Sequence, residues 1–213
     1  YNSSFKGCAM PYKSRLANNN DIFIFMKKIL GIDCSSTTIG CCVLNIDDNN
    51  KISYQDLHFI KPNKEGNLIQ RLYETREKLK AYIEKVNPDE IAVEEIISFI
   101  KGKSTAQTII MLATFNRMAC LLAYDFLKKP PELFNVLSIR HGIKLSPALP
   151  KKEEIPSLLE KRLNFKFPFI LDKKNKIKTE SYDIADAGAV TLYYALKLTD
   201  NLYKKPKKPK NNK

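Results

Sequence analysis

The chain has 213 residues, of which 44% are hydrophobic and 28% are charged, and its formal net charge at pH 7 is +13. This length suits one well-buried domain and leaves little room for two, and the composition is that of a globular protein. We expect no apolar run of transmembrane length, which excludes a membrane protein and a membrane partner. The surplus of lysine and arginine indicates a polyanionic partner, above all nucleic acid, although a lysine-rich proteome would give the same surplus.

The cysteines indicate a reducing compartment. The chain has five, none of them in a CxxC pair, and three lie around the first apolar turn, at Cys34, Cys41 and Cys42. This pattern suits buried or reactive thiols better than a disulfide framework or a zinc site. We therefore expect a soluble protein of the cytoplasm, in the same compartment as the nucleic acid.

Both ends of the chain differ from its middle. Residues 1–25 lack the basic start and long apolar core of a signal peptide, and Met26 stands directly before the first apolar run. We expect the functional domain to span 26–200, after an N-terminal extension of uncertain status. The end of the chain, 201–213, carries six lysines and two prolines. We expect it to be disordered, as a solubilising tail or as an electrostatic tether to phosphate.

Three strands and a helix are predicted first. Residues 28–33 form a short buried strand that ends on a carboxylate, and after a small-residue turn the chain continues as strands over 41–46 and 52–60. These strands form an antiparallel meander. Apolar residues at helical spacing then predict a helix over 68–86, and the Asn-Pro pair that follows ends it because proline cannot continue a helix.

Strands and helices alternate in the remainder. Residues 90–97 predict a fourth strand that two glutamates interrupt, and 104–127 predict a helix that is apolar nearly all round and so buried on more than one face. The further predicted elements are a fifth strand at 133–139, a helix near 152–163 and a final helix at 183–198. The order βββαβαβαα implies an α/β fold, with a five-stranded mixed sheet of meander and parallel strands flanked by helices.

Carboxylates interrupt apolar segments at three places, where their desolvation is unfavourable. Asp33 ends the first strand, Glu94 lies at the end of the fourth, and Asp183 and Asp186 share a face of the last helix. Such acids repel one another unless divalent cations lie between them, and Mg²⁺ prefers carboxylate oxygens. Two such ions activate a water and stabilise the leaving oxygen in phosphodiester hydrolysis. The set of acids therefore predicts a metal-dependent phosphodiesterase.

Taken singly, each acid also has a structural explanation. Asp33 could bond the backbone of the following turn, and Glu94 with its neighbour Glu95 could form a strand edge that turns into solvent. Asp183 could stabilise the N-terminus of the last helix through the helix dipole. The whole set, in this order, arises by accident far less often than any one of its members.

These motifs resemble a known family. The stretches GIDCSSTTIG at 31–40, AVEE at 92–95 and DIADAGAV at 183–190 resemble, in this order, the RuvC-type Holliday junction resolvases of the RNase H-like superfamily. The resemblance covers roughly residues 28–197 and implies an RNase H-like fold. It also implies a homodimer that nicks two strands of a four-way DNA junction symmetrically, in recombination and repair. The implied ligands of Mg²⁺, with two ions per site and Mn²⁺ as a substitute, are Asp33, Glu94, Asp183 and Asp186.

The same resemblance implies basic residues that bind DNA. Arg140 and Lys152, with Lys151 as a substitute, would neutralise the scissile phosphate, although each could equally be solvated surface. An apolar residue that probes the junction centre would be Phe99, unless it belongs to the core. The lysines expected to contact DNA in the same loop are Lys101 and Lys103.

Two segments depart from the family pattern. The glycine-rich stretch before its active lysine is replaced by HGIKLSPALPKK at 141–152. A long basic insertion occupies 165–180, either as an extra DNA contact or as a disordered loop.

The leading hypothesis is a Mg²⁺-dependent, structure-selective endonuclease that acts on branched DNA. Other hypotheses are an RNase H-like nuclease that cuts RNA–DNA hybrids or flaps, and a non-catalytic relative that only binds DNA. The first glycine-containing motif also resembles the phosphate loop of actin- and hexokinase-like ATPases. Such an ATPase needs a second glycine-rich loop, and the seven glycines of this chain form no second cluster.

Overall fold

The computed structural model describes residues 26–96 and 105–203, and its centre is a five-stranded mixed sheet in the order β3–β2–β1–β4–β5. The strands are β1 (Lys27–Cys34), β2 (Ile39–Ile46), β3 (Ile52–Ile60), β4 (Glu90–Glu94) and β5 (Glu132–Phe134). β1, β2 and β3 pair antiparallel as a meander, and β4 lies parallel to both β1 and β5. The predicted α/β fold with a mixed sheet is confirmed.

Helices flank the sheet on both faces. In the described part of the chain they are α1 (Leu68–Val86), α2 (Ala106–Leu127), α3 (Val136–Ile143), α4 (Ile155–Leu163) and α5 (Thr179–Leu198). A 3₁₀ turn, Lys152–Glu154, leads into α4. α1 and α2 cover one face of the sheet, and α3, α4 and α5 cover the other.

The central strands are buried on both faces. In β1, Ile29 packs into the core under α5, whereas Leu30 and Ile32 pack into the core under α1 and α2. Strands covered on both sides read as continuous apolar runs, which is how β1 appears in the sequence. Because side chains alternate, Asp33 falls on the same face as Ile29 and therefore towards α5.

α1 begins and ends where the sequence predicts. The Asn67 side chain accepts a hydrogen bond from the Gln70 backbone N–H, and the Gln70 side chain accepts one from the Asn67 backbone N–H, each at 3.0 Å. This reciprocal capping satisfies two N–H groups that would otherwise lack partners. Asn87 ends the helix in the left-handed conformation, with φ 49°.

The predicted fifth strand at 133–139 is wrong beyond its first residues. β5 stops at Phe134 because Asn135 caps a helix, with its Oδ1 accepting a hydrogen bond from the Ser138 backbone N–H at 2.9 Å. The apolar run that follows is α3, and Arg140 lies in the last turn of this helix rather than after a strand. A short apolar run does not distinguish a strand from a buried helix by its period.

The last helix begins earlier than predicted, at Thr179 rather than at Asp183. Asp183 therefore lies in the second turn, and the acid of the first turn is Glu180. The dipole of a helix acts mainly within its first turn, so the dipole explanation for Asp183 does not hold.

Several predictions concern residues outside the described ranges. These are the N-terminal extension 1–25, the lysine-rich end from residue 204, and the loop with Phe99, Lys101 and Lys103. The fourth strand, predicted over 90–97, ends at Glu94.

α2 is long and apolar, but one side of it is open. Phe115, Ala119 and Leu122 are buried in the core, whereas Ile110 and Leu121 are 62% and 66% exposed. The prediction of burial on more than one face is therefore wrong. By length and composition alone α2 could cross a membrane, contrary to the expectation from sequence. Core helices of soluble proteins meet the same criterion, and α2 packs against α1 and the sheet.

β1 and α5 approach closely at Gly31. A Cβ atom there would stand 2.8 Å from the Thr191 backbone nitrogen and 2.9 Å from the Ala187 carbonyl oxygen, and it would overlap the Thr191 hydroxyl. That hydroxyl donates a hydrogen bond to the Ala187 carbonyl oxygen at 2.7 Å. Only glycine fits, because a side chain would push the helix off the sheet.

We predict that Gly31→Ala lowers the free energy of unfolding by about 1–3 kcal/mol, because it overpacks the contact between β1 and α5. Urea denaturation followed by circular dichroism measures the change. In a Thr191→Ala background the same substitution should be less destabilising, since the hydroxyl clash is gone while the backbone clashes remain. Equal stability of Gly31→Ala and the parent protein would contradict this contact.

Candidate active site

The carboxyl ends of β1 and β4 bring two of the predicted acids together. The strands are parallel neighbours in which Ile32 pairs with Val93. Asp33 and Glu94 are the next residues of the two strands, so they lie side by side. Ala92 packs under α5, so by alternation Glu94 also faces α5, as Asp33 does. Open α/β sheets bind their ligands at this edge, outside the carboxyl ends of parallel strands.

Ser35 closes the turn after β1. Its Oγ accepts hydrogen bonds from the backbone N–H groups of Thr37 and Thr38 at 3.2 and 2.9 Å, and it donates one to the Thr38 carbonyl oxygen at 2.8 Å. The turn therefore does not need the Asp33 carboxylate. A role in bonding the backbone of this turn, the structural explanation that the sequence left open for Asp33, does not hold.

α5 brings the other two acids over the same edge. The side chains of Asp183 and Asp186 are 19% and 15% exposed. Gly40 of β2 permits this position, because a Cβ atom there would stand 3.0 Å from the Asp183 carbonyl carbon and 3.2 Å from the Ala187 Cβ. Since Gly40 pairs with Asp33 in the sheet, the backbone of Asp183 rests directly beside the end of β1.

Lys152 bridges the two acids of α5. Its Nζ lies 3.2 Å from Asp183 Oδ1 and 2.9 Å from Asp186 Oδ2. Burial lowers the pKa of Lys152, but the charges of Asp186 and Asp183 outweigh burial, and the pKa is raised above its ordinary value. The ammonium group therefore stays charged. Lys151, the alternative in the sequence, is exposed, and its backbone N–H donates to the Glu154 carboxylate at 2.7 Å.

The acids raise one another's pKa. Burial, followed by the charges of Glu94 and Asp186, raises the pKa of Asp33 well above its ordinary range. Burial and the charge of Asp186 raise the pKa of Glu94 to about 7, while Arg140 and Lys152 oppose that shift. Burial also raises the pKa of Asp186, against the opposing charge of Lys152. The structure thus brings these acids into one electrostatic cluster with both predicted basic residues.

The donor set of this cluster fits a hard divalent cation. Four carboxylates face two cationic side chains, Arg140 and Lys152, so the acids of the cluster outnumber its bases. Within residues 26–96 and 105–203, no three His, Cys, Asp or Glu side chains converge closely enough to enclose an ion. Mg²⁺ needs no such cage, because it binds through one or two carboxylates and completes its shell with waters and substrate phosphate oxygens.

Glu94 rather than Glu95 faces the cluster. Glu95 is exposed, and its backbone N–H donates a hydrogen bond to the Phe134 carbonyl oxygen at 2.9 Å. Glu94 is partly buried at the end of β4, where the charge of Asp186 acts on it. The two glutamates point to opposite faces of the sheet because they are neighbours on an extended segment.

The cysteines near the site are packing residues. Cys34, Cys41 and Cys42 are buried free thiols. Burial raises the pKa of each, which keeps the thiols protonated at neutral pH. Of the two alternatives left by the sequence, buried thiols are confirmed for these three residues.

Asn116 on α2 is a supporting residue that the sequence did not reveal. It is buried, and its Nδ2 donates a hydrogen bond to the Glu94 carbonyl oxygen at 2.8 Å. Its Oδ1 accepts a hydrogen bond from Arg117 Nη1 at 3.4 Å. An amide within an apolar helix is the signal that could have found it, since a buried amide needs partners. The bond ties the end of β4, and with it Glu94, to the helix behind the sheet.

The five-stranded mixed sheet with its flanking helices defines the class of fold, which is RNase H-like. A protein-family model described as "Crossover junction endodeoxyribonuclease RuvC" matches residues 29–128. This segment, 100 of the 213 residues, is therefore similar to the RuvC family that the motifs resemble. The matched segment includes Asp33 and Glu94, whereas α3, α4 and α5 lie beyond its end.

Two solved structures of RuvC share the fold, and a third structure shows a weaker similarity. RuvC of Thermus thermophilus is 16% identical, with a TM-score of 0.61 over 82% of this chain and 98% of that chain. T. thermophilus RuvC in complex with a Holliday junction substrate is 15% identical, with a TM-score of 0.60 over 83% and 98%. The yeast mitochondrial Holliday junction resolvase is 13% identical, with a TM-score of 0.47 over 79% and 78%. No curated protein matches the chain.

We predict that Asn116→Ala lowers the free energy of unfolding by about 1–3 kcal/mol, because the partly buried Glu94 carbonyl oxygen loses its partner. Thr114→Ala is the matched control, since the Thr114 hydroxyl donates only within its own helix, to the Ile110 carbonyl oxygen at 2.8 Å. Urea denaturation of both variants gives the comparison. Equal effects of the two substitutions would show that Asn116 does not hold β4.

Proposed function

We propose that the protein is a structure-selective endonuclease that resolves four-way DNA junctions by paired hydrolysis of phosphodiester bonds, in recombination and repair. The observation that carries the proposal is the cluster of four carboxylates, bridged by Lys152, at the sheet edge of a RuvC-type chain. The net charge of +13 supports DNA as the partner, because phosphate backbones attract such a surface.

We propose Mg²⁺ as the cofactor, with two ions per site and Mn²⁺ as a substitute. The ligands would be Asp33, Glu94, Asp183 and Asp186. When bound, the ions supply an activated water and neutralise the leaving oxygen. The support for a cation lies in the hardness of the donors and in the excess of acids over bases in the cluster.

The basic residues of the site have separate tasks in this proposal. Without DNA, Lys152 offsets the repulsion between Asp183 and Asp186, and its raised pKa keeps it charged. Arg140 acts on Glu94 from α3. Both side chains would neutralise the scissile phosphate and the charge that develops in the transition state. The remaining proposed DNA contacts are Lys151, Phe99, Lys101 and Lys103.

The function is tested by incubating the purified protein and Mg²⁺ with a labelled four-way junction, a duplex, an RNA–DNA hybrid and a flap. Paired nicks in the junction, in preference to the other substrates, are the expected result. Chelation of divalent cations should abolish cutting, and Mn²⁺ should restore it. Preferred cutting of the hybrid or flap would identify a different RNase H-like nuclease, and binding without cutting in either metal would identify a non-catalytic relative.

We further propose that the protein acts as a homodimer through the open side of α2. Three apolar side chains of α2 are largely exposed, Ile110 by 62%, Leu121 by 66% and Tyr124 by 49%. They lie on one side of the helix, because the first two are three turns apart and the third follows three residues later. An exposed apolar row of this kind is typical of a protein interface. A two-fold dimer also matches the two-fold symmetry of a four-way junction.

We predict that Ile110→Lys combined with Leu121→Lys gives a monomer, because charges on this row oppose its burial in an interface. Light scattering at micromolar concentration measures the mass. Leu137→Lys is a matched control, since Leu137 is an equally apolar residue on the opposite face of the sheet with 58% exposure. A parent protein that is monomeric with and without junction DNA would contradict the dimer.

We predict that Asp33→Asn abolishes cleavage while junction binding is retained or improved. The substitution removes a metal ligand, and it also removes a negative charge that repels DNA phosphate. Cleavage and gel-shift assays measure the two effects separately. Glu95→Gln is the control and should change little, because Glu95 faces away from the cluster. Near-normal cutting by Asp33→Asn would rule out the metal site.

A further inference from the structure

The basic insertion folds into a small hairpin over residues 170–178. Leu171 and Ile177 pair as an antiparallel bridge, and the Asp172 backbone N–H donates to the Lys176 carbonyl oxygen at 2.8 Å. The Asp172 Oδ1 accepts hydrogen bonds from the backbone N–H groups of Lys174 and Lys176 at 2.7 and 2.9 Å. The alternative of a disordered loop is therefore wrong, and the turn is held by backbone groups and one carboxylate.

The hairpin is fixed to the start of α5. The Lys178 backbone N–H donates to the Ile170 carbonyl oxygen at 2.8 Å. The Ile170 backbone N–H donates to Ser181 Oγ at 2.8 Å, and Ser181 is buried in the first turn of the helix. Ser181 stands two residues before Asp183, so the hairpin and the acidic cluster share one rigid element.

In the described part of the chain, no acidic partner accompanies the lysines of the hairpin. Lys173, Lys174, Lys176 and Lys178 are exposed. Within residues 26–96 and 105–203, no carboxylate forms an ion pair with any of them. The Asp172 carboxylate is engaged by the turn, and the nearest other acid in the chain, Glu180, pairs with Lys61. Four cationic side chains therefore stand on a fixed scaffold with their charge uncompensated.

We propose that this hairpin binds the phosphate backbone of one duplex arm of the substrate beside the cut. The inference rests on the proposed function, and it adds a DNA contact on the basic insertion by which the chain departs from the family pattern. The acidic cluster repels incoming phosphates, and a row of unpaired lysines on the same element offsets that repulsion. Several lysines on one hairpin can bind the regularly spaced phosphates of a duplex together. The acids on the surface of a protein partner are scattered and would match them less well.

The geometry limits where this contact falls on the DNA. From Lys174 at the turn to Asp183, four extended and five helical residues span no more than about 22 Å. With the reach of a lysine side chain, the contacts fall within about eight base pairs of the scissile phosphate. Phosphate contacts position the duplex and carry no sequence information, so the hairpin strengthens binding to any arm that leads into the site.

The experiment compares two triple variants that remove the same charge. Lys173→Gln, Lys174→Gln and Lys176→Gln neutralise the hairpin, whose fold does not use these side chains. Exposed lysines at the far end of the sheet and on α1, on its other face, provide the control, namely Lys51→Gln, Lys78→Gln and Lys85→Gln. Junction affinity is measured across a salt series for both variants and the parent protein.

The hairpin variant should bind the junction roughly tenfold or more weakly at low salt, and its slope of log K against log salt should be smaller by about 3. The control variant should change the slope much less. Methylphosphonates that neutralise the phosphates within about eight positions of the cut should weaken binding by the parent protein more than binding by the hairpin variant. Equal slopes for the two variants, or equal loss on methylphosphonate DNA, would overturn the proposal.

Failure of this proposal is distinguishable from failure of the proposed function. If the parent protein cuts the junction and the two triple variants bind it alike, the hairpin does not bind the arm while the function stands. If the parent protein cuts no junction, the proposed function fails irrespective of the hairpin. Unfolding curves of both variants, which should match that of the parent protein, exclude loss of structure as the cause.

Discussion

Repulsion among carboxylates is the constraint on which the rest of this structure depends. Four acids meet at one edge of the sheet, and their burial and mutual charge raise the pKa of Asp33, Glu94 and Asp186. Such a site opposes folding, so packing elsewhere has to offset it. Lys152 removes part of the repulsion by lying between two of the carboxylates. The repulsion that Lys152 does not offset has to be balanced by close packing between the strands and helices that carry the acids.

Those contacts are made largely by backbone atoms. Gly31 and Gly40 let α5 approach β1 and β2 so closely that no side chain stands between them. On the other face of the sheet, Asn116 binds the Glu94 carbonyl oxygen and ties β4 to α2. The acids thus lie on elements whose relative positions are fixed from both sides, and repulsion cannot relax by moving a strand or a helix.

The predictability of this site from sequence differs between its parts for physical reasons. Asp33 and Glu94 were found because a carboxylate inside an apolar strand is a local signal, and the order of the acids along the chain indicated the fold. Residues 133–139 were misassigned because a short apolar run suits a strand and a buried helix equally, and the cap at Asn135 decides between them. Asn116 was missed because its burial depends on the sheet that covers it, which no local pattern records.

Two physically different kinds of lysine are proposed to act on DNA. Lys152 already has acidic partners, so its charge offsets that of Asp183 and Asp186 in the protein without DNA. In our proposal the hairpin lysines around Lys174 gain their partners from DNA, by releasing the ions condensed on its phosphates. The first kind would then act on the chemistry and the second on the affinity for DNA. The family match ends at residue 128, so Lys152 and the hairpin lysines both lie beyond it. The strand acids thus lie in the part of the chain that matches RuvC, while the proposed contact with DNA arms lies in a separate segment beyond that match.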